Sequence, residues 1–126
     1  MHVHALSHVT GGGLAANLAR VLPSGLIADV DRSAWQIPPV FDVVRRLGNV
    51  PWDDLEGTLN LGIGMVAVVD ESIAEAAIEV SRAAGIEACV LGSVHKADEY
   101  EVTGRVVSGT KGVQGGAVDI HGVYRI

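Results

Sequence analysis

The sequence predicts an α/β (α+β) fold, with a single mixed sheet covered by helices. Residues 2–9 alternate between a histidine-rich face and a more apolar face, which is typical of a strand. After three glycines, Leu14, Leu18 and Leu22 recur at helical spacing up to Pro23. Hydrophobic residues make up 48% of the chain and aromatic residues only 4%, so the core must be aliphatic, which favours an α/β architecture over a β-sandwich.

The other elements follow from the same periodicities and from turn residues. The predicted chain order is β-α-β-α-β-α-β-β, at residues 2–9, 14–22, 26–30, 39–48, 58–69, 72–84, 88–94 and 100–107. Residues 108–116 have the composition of a flexible segment, and residues 118–126 fit either an edge strand or a tail. A chain of 126 residues without internal repeats is expected to form one domain.

Composition and charge exclude several classes of protein. The net charge is −6 and lysine occurs only at Lys96 and Lys111, which argues against nucleic acid as a partner. No apolar run approaches the ~20 residues that span a bilayer, and the N-terminus lacks the pattern of a signal peptide. The single cysteine excludes an internal disulfide and fits a reducing compartment. We therefore expect a cytoplasmic domain without a membrane partner.

The first candidate site lies where the first strand meets the first helix. Gly11, Gly12 and Gly13 leave backbone N–H groups unshielded at the start of a helix, an arrangement that can hold a phosphate or another anion. Thr10 can cap the helix or donate a hydroxyl, and His8 can donate to phosphate or move a proton. The alternative is a tight turn before a capped helix, beside a histidine without a function.

The same residues also fit a dinucleotide-binding fingerprint. Gly11, Gly13 and Ala16 match G-x-G-x-x-A, and Asp29 or Asp31 stands near the position of a ribose-binding acid. The rest of the chain does not continue as regular βαβ units, which argues against this alternative.

The second candidate site falls within the predicted strand at residues 58–69. Alternation places Asn60, Gly62 and Gly64 on one face, which is bare of side chains at two positions and open to a close ligand. The alternative is a β-bulge or a closely packed helix. Asn17, one helical turn after Gly13, is expected to face a ligand, and Arg20 to form a surface ion pair.

Other polar groups predict no further site. His2, His4 and His8 share a strand face without a neighbouring carboxylate or thiol, so no metal site is predicted. The acidic residues Asp53 and Glu56 fit a solvated loop.

Together these motifs resemble the C-terminal domain of the aminoimidazole ribonucleotide (AIR) synthetases, also called phosphoribosylformylglycinamidine cyclo-ligases. The matching stretches, in order, are HVTGGG at 8–13, Asn17, RVLP at 20–23, Trp35, Pro38, Phe41, GNV at 48–50 and NLGIGM at 60–65. The resemblance is dense from His4 to Val69 and thin beyond.

The resemblance implies an enzyme of purine biosynthesis. The family uses ATP, with magnesium, to convert formylglycinamidine ribonucleotide to aminoimidazole ribonucleotide, releasing ADP and phosphate. It implies that residues 1–126 form the C-terminal domain and that an N-terminal ATP-binding domain is absent from this chain. The chain alone is then expected to bind no cofactor and to lack activity, whereas the full-length enzyme is expected to be a homodimer.

The resemblance also suggests residue roles. His8 is the expected catalytic residue, and Thr10, Gly11, Gly12, Gly13 and Asn17 are expected to bind the ribonucleotide substrate or the transferred phosphate. Asn60, Gly62 and Gly64 are expected to line the cleft that faces the N-terminal domain, with Met65 in the core. The alternative is a free-standing nucleotide- or anion-binding module, Rossmann-like and without catalysis.

Overall fold

The computed structural model describes residues 2–109 and 115–126. Its strands are Val3–His8 (β1), Leu26–Asp31 (β2), Met65–Val69 (β3), Gly92–Lys96 (β4), Arg105–Ser108 (β5) and Ala117–His121 (β6). Its α-helices are Gly13–Val21 (α1), Pro39–Gly48 (α2), Trp52–Glu56 (α3) and Ala74–Ala83 (α4). The α/β class is confirmed; the short helix α3 and the strand β6 extend the predicted element order.

The strands form two sheets, so the prediction of a single sheet is wrong. Strand β1 pairs with β3 in an antiparallel two-stranded sheet, and the other four strands follow the order β4-β2-β6-β5. In this larger sheet β2 and β6 run parallel, whereas the outer pairs are antiparallel. Alternation along one strand identifies the strand but not its partner, because partner choice depends on packing between distant segments.

Helix α1 packs against both sheets, which therefore share one core. The helix contacts β1 of the small sheet and both β5 and β6 of the large sheet. Leu14 and Leu18 of α1 are buried with Val66 of β3 and with Val118 and Ile120 of β6. The aliphatic core predicted from composition is therefore present, and it lies between the two sheets.

Strand β6 differs from its predicted role. Residues 118–126 were expected to form an edge strand or a tail, but β6 lies inside the sheet between β2 and β5. Val118 and Ile120 on one face and Asp119 on the other are all fully buried, which only an interior strand allows. Of the stretch 108–116, which was predicted to be flexible, residues 110–114 lie outside the described residues.

A smaller apolar cluster holds the loops near the first candidate site. Ile37, Leu55 and Leu61 are buried together, with Phe41 and Trp52 packed against them. This cluster fixes α3 and the loop after it. Across residues 2–109 and 115–126, no helix combines the length and the apolar character needed to cross a bilayer.

Candidate functional site

The two predicted motifs meet at a cavity of about 260 Å³. Its lining residues come from the end of β1, from the glycine loop, from α2 and from the loop after α3: Val9, Thr10, Gly11, Phe41, Thr58, Leu59 and Asn60. The structure thus brings Thr10, Gly11 and Asn60 together, although about 50 residues separate the two motifs in the chain. This convergence could not be read from spacing alone.

The glycine loop has the backbone geometry that the triplet predicts. Gly12 precedes the first turn of α1 at φ 102°, and Gly13 follows at φ 83°, both in the left-handed region that favours glycine. The Gly13 N–H donates to the Thr10 carbonyl over 3.2 Å. Among the described residues, the amides of Gly11 and Gly12 donate to no backbone carbonyl, so both remain available to an anion.

Asn17 organises the glycine loop. Its side chain is only 5% exposed, and its amide nitrogen donates to the carbonyls of Gly13 at 2.7 Å and Thr10 at 3.2 Å. The Thr10 hydroxyl donates in turn to Asn17 Oδ1 over 3.3 Å. Asn17 is therefore occupied with holding the loop, and Thr10 does not cap α1, whose N-cap residue is Gly12 and has no side-chain bond.

The segment 60–64 is a loop, so the prediction of a strand from residue 58 is wrong. Strand β3 begins only at Met65, because Leu61 has φ 53° and Gly62 has φ 103°, which no strand permits. Asn60 Oδ1 accepts from the Gly62 N–H at 2.9 Å, and the Trp35 indole donates to the Leu61 carbonyl at 3.0 Å. The shared face of Asn60, Gly62 and Gly64 therefore does not exist.

Gly62 is required by packing rather than by a ligand. A Cβ at this residue would lie 2.6 Å from Pro38 Cδ, in addition to the strain of its positive φ. Neither Gly62 nor Gly64 is among the residues that line the cavity. Only Asn60 of this predicted trio reaches it, with its amide nitrogen left to donate because the oxygen is used by Gly62.

His8 lies outside the cavity. It is the last residue of β1, opposite Met65, and its side chain is exposed on the outer face of the small sheet. Met65 was expected in the core but is 58% exposed, because it shares that outer face. Leu6 on the same face is 59% exposed, so an apolar surface surrounds His8.

Arg20 lies closer to the glycine loop than expected. Its guanidinium nitrogen Nη2 is 3.6 Å from the position that a Cβ on Gly12 would occupy. Sequence reasoning predicted a surface ion pair for Arg20, but the ion pairs of the described residues do not include it. The positive charge of Arg20 therefore lies beside Gly12.

Glu56 is a functional candidate that sequence reasoning missed. It was expected in a solvated acidic loop, but it is 4% exposed and accepts from Arg32, Arg105 and the Tyr124 hydroxyl. Although burial raises the pKa of Glu56, the hydrogen bonds from Arg32 and Tyr124 and the nearby arginine charges keep it below its ordinary value. Because Glu56 belongs to an acidic run, sequence reasoning assigned it to a solvated loop.

The acids of the dinucleotide alternative are both occupied. Asp29 pairs with His95 at 2.7 Å and with His121 at 3.0 Å, and Asp31 accepts from Ser33 at the start of a 3₁₀ turn. Burial raises the pKa of Asp29, but the two histidine hydrogen bonds bring it below its ordinary value. Strands β1 and β2 also lie in different sheets, whereas a Rossmann unit needs them parallel in one sheet. The Rossmann-like alternative is therefore wrong.

The histidines of β1 do not assemble a metal centre. His4 meets Asp70 at 2.9 Å, a carboxylate neighbour that sequence reasoning did not find because it lies 66 residues away. Within residues 2–109 and 115–126, no group of three or more His, Cys, Asp or Glu side chains is placed to hold a metal ion. These residues therefore do not form a site for a resident magnesium ion.

The fold and the cavity define an α/β domain in which a glycine-rich strand-to-helix loop opens into a cavity. Residues 1–105 match the family described as "AIR synthase related protein, C-terminal domain". The chain therefore belongs to this family, which confirms the resemblance inferred from the motifs.

Curated relatives carry the name of one enzyme. The chain is 45% identical over 124 residues to the "Putative phosphoribosylformylglycinamidine cyclo-ligase" of Streptomyces fradiae, covering 98% of this chain and 62% of that protein. It is 48% identical over 96 residues to the phosphoribosylformylglycinamidine cyclo-ligase of Symbiobacterium thermophilum, covering 76% and 27%. For the enzyme of that name from Sorangium cellulosum, identity is 46% over 107 residues, covering 85% and 31%. The chain thus spans less than two thirds of these relatives.

Proposed function

We propose that this chain is the C-terminal part of a phosphoribosylformylglycinamidine cyclo-ligase of purine biosynthesis. The complete enzyme would use ATP and magnesium to convert formylglycinamidine ribonucleotide to aminoimidazole ribonucleotide, with release of ADP and phosphate. The observation that carries the proposal is the cavity in which Thr10 and Gly11 meet Asn60. The names of the longer relatives support the choice of reaction.

In this proposal the cavity binds a phosphate group, either of the ribonucleotide or in transfer. The N–H group of Gly11, which lines the cavity, donates to a phosphate oxygen at the positive end of the α1 dipole, and the Gly12 N–H adjoins it. Asn60 Nδ2 donates from the wall formed by residues 58–60, and Arg20 contributes a positive charge beside Gly12. No step is assigned to magnesium, because the described residues do not form a site for it.

The partner of this chain in the complete enzyme would be an N-terminal ATP-binding domain. The outer face of the small sheet supports this, since Leu6 and Met65 are more than half exposed around His8. A domain that covers this face would bring its own groups to His8. The homodimer expected for the full-length enzyme belongs to the same proposal.

A turnover assay tests the proposal. ATP, magnesium and formylglycinamidine ribonucleotide are supplied to this chain alone, to the part of the Symbiobacterium thermophilum relative outside the match, and to the mixture of the two. We expect product only in the mixture. Product from this chain alone would contradict a need for the second part, and no product in the mixture would contradict the proposed reaction.

Filling the cavity at Gly11 is expected to weaken phosphate binding without unfolding the chain. A Cβ at Gly11 would meet nothing within 4 Å, and its φ is not positive, so Gly11→Val is tolerated by the backbone. The valine side chain would occupy the cavity and weaken phosphate binding by about tenfold or more. The measurement is a titration with inorganic phosphate, followed by the NMR shifts of the Gly12 and Asn60 amides.

Gly64→Val is the matched control for the Gly11 variant. Gly64 has equally open surroundings and no positive φ, but it does not line the cavity. We expect its phosphate affinity to equal that of the unmodified chain. An equal loss of affinity in both variants would show that the cavity is not the phosphate site.

His8→Ala is expected to lower kcat in the reconstituted mixture by about a hundredfold, the usual scale for losing a general acid or base. Because His8 is exposed, the midpoint of urea unfolding should not change. His4→Ala removes another exposed histidine from the same strand face and serves as the control. Equal kcat values for the two variants would exclude a catalytic role for His8.

A further inference from the structure

Glu56 carries a buried carboxylate with four charged or polar donors. Arg32 binds it through two nitrogens, at 2.7 and 2.9 Å, and Arg105 Nη2 approaches to 2.6 Å. The Tyr124 hydroxyl donates the fourth hydrogen bond. A buried charge is tolerated only with such partners, so the carboxylate is fixed in one position.

The main chain of Glu56 contacts the glycine loop. A Cβ on Gly13 would overlap the Glu56 carbonyl oxygen, so the two backbones are in direct contact at the start of α1. Two residues further along the chain, Thr58, Leu59 and Asn60 form one wall of the cavity. Glu56 is therefore linked to both walls, by a backbone contact to Gly13 and through the chain to residues 58–60.

Helix α3 cannot hold this position by itself. It has five residues, too few for a stable isolated helix in water. The partners of Glu56 come from elsewhere: Arg32 from the turn after β2, Arg105 from the start of β5 and Tyr124 from the segment after β6. The ion-pair cluster thus ties α3 to the large sheet.

We propose that Glu56 is a positioning residue of the site, which holds the glycine loop and the wall at residues 58–60 at the separation that a phosphate group requires. The inference rests on the proposed phosphate-binding role of the cavity. Glu56 does not line the cavity; its effect passes through its own backbone to Gly13 and through the chain to Asn60.

The test compares Glu56→Gln with Asp119→Asn. Both changes remove the charge of a buried carboxylate, but Asp119 bonds to Tyr100, Thr103 and Gly104 and does not line the cavity. In Glu56→Gln we expect faster hydrogen exchange at the Gly13 and Asn60 amides and a phosphate dissociation constant raised by about tenfold. In Asp119→Asn both readouts should stay at the values of the unmodified chain.

The outcomes separate this inference from the proposed function. If the unmodified chain does not bind inorganic phosphate, the phosphate site is wrong, and the amide exchange alone decides whether Glu56 positions the loop. If Glu56→Gln lowers stability but changes neither readout, the positioning role is overturned. Should Glu56→Gln not fold, Tyr124→Phe removes one of the four hydrogen bonds and must shift both readouts in the same direction.

Discussion

Replacing Gly13 by alanine is expected to lower the free energy of unfolding by about 3 kcal/mol, from left-handed strain and overpacking together. The φ of 83° disfavours any side chain, and the added Cβ would overlap the Glu56 carbonyl oxygen. That neighbour is backbone, so no change of side-chain rotamer relieves the overlap. Either α1 or α3 must move, and the core packed on α1 loosens. Urea unfolding followed by circular dichroism measures the loss.

Gly25→Ala separates the two causes. Gly25 has nearly the same dihedral angle, φ 88°, but a Cβ there would meet nothing within 4 Å. Gly25→Ala is expected to lower the free energy of unfolding by about 1 kcal/mol, which is the strain of the left-handed region alone. Equal losses for the two variants would mean that the overlap of the added Cβ with the Glu56 carbonyl oxygen is relieved without cost.

Replacing Asp119 by alanine is expected to lower the free energy of unfolding by about 3 kcal/mol, the scale for losing several hydrogen bonds to one buried carboxylate. Asp119 is fully buried, and its carboxylate accepts from the Tyr100 hydroxyl at 2.6 Å and from the Thr103 and Gly104 amides. Alanine would leave these part-buried donors without their acceptor. Asp119→Asn keeps the shape of the side chain and one acceptor oxygen, so its free energy of unfolding should fall by less than that of the alanine variant.

The pH dependence of stability provides a second readout of the same network. Burial raises the pKa of Asp119, but the hydrogen bonds from Thr103, Tyr100 and Gly104 bring it below the ordinary value of 3.8. A lowered pKa means that the carboxylate stabilises the fold above pH 3.8 and loses this effect as the pH falls below it. Burial, followed by the hydrogen bond to Asp119, raises the pKa of Tyr100 to about 12. Unfolding midpoints between pH 7 and pH 3 should therefore fall less steeply in Asp119→Asn than in the unmodified chain, and parallel curves would contradict this.

Local patterns predicted the elements that are defined by their own residues. The alternation in β1, the spacing of Leu14 and Leu18 in α1, and Pro39 at the start of α2 each identify an element without reference to the rest of the chain. The glycine triplet also has a local signature, because positive φ angles at a strand-to-helix turn require glycine.

The remaining features depend on contacts between distant residues. The segment 60–64 alternates like a strand, but Trp35 and Pro38 hold it as a loop from more than 20 residues away. Glu56 looks like a member of a solvated acidic run until its partners, 24, 49 and 68 residues away, are known. No single-sequence pattern encodes such partners, which explains why the motifs singled out Thr10, Gly11 and Asn60 but not Glu56.

The interior position of β6 constrains how the chain can be made. Until residues 117–121 have been synthesised and have left the ribosome, β2 and β5 each have an unpaired edge. The later pairing of Ala28 with Val118 must also close a loop of about 90 residues. Nascent chains are therefore expected to remain open, as substrates for chaperones, until synthesis has passed β6. Sequence changes that slow translation near this strand would lengthen the period during which the chain can aggregate.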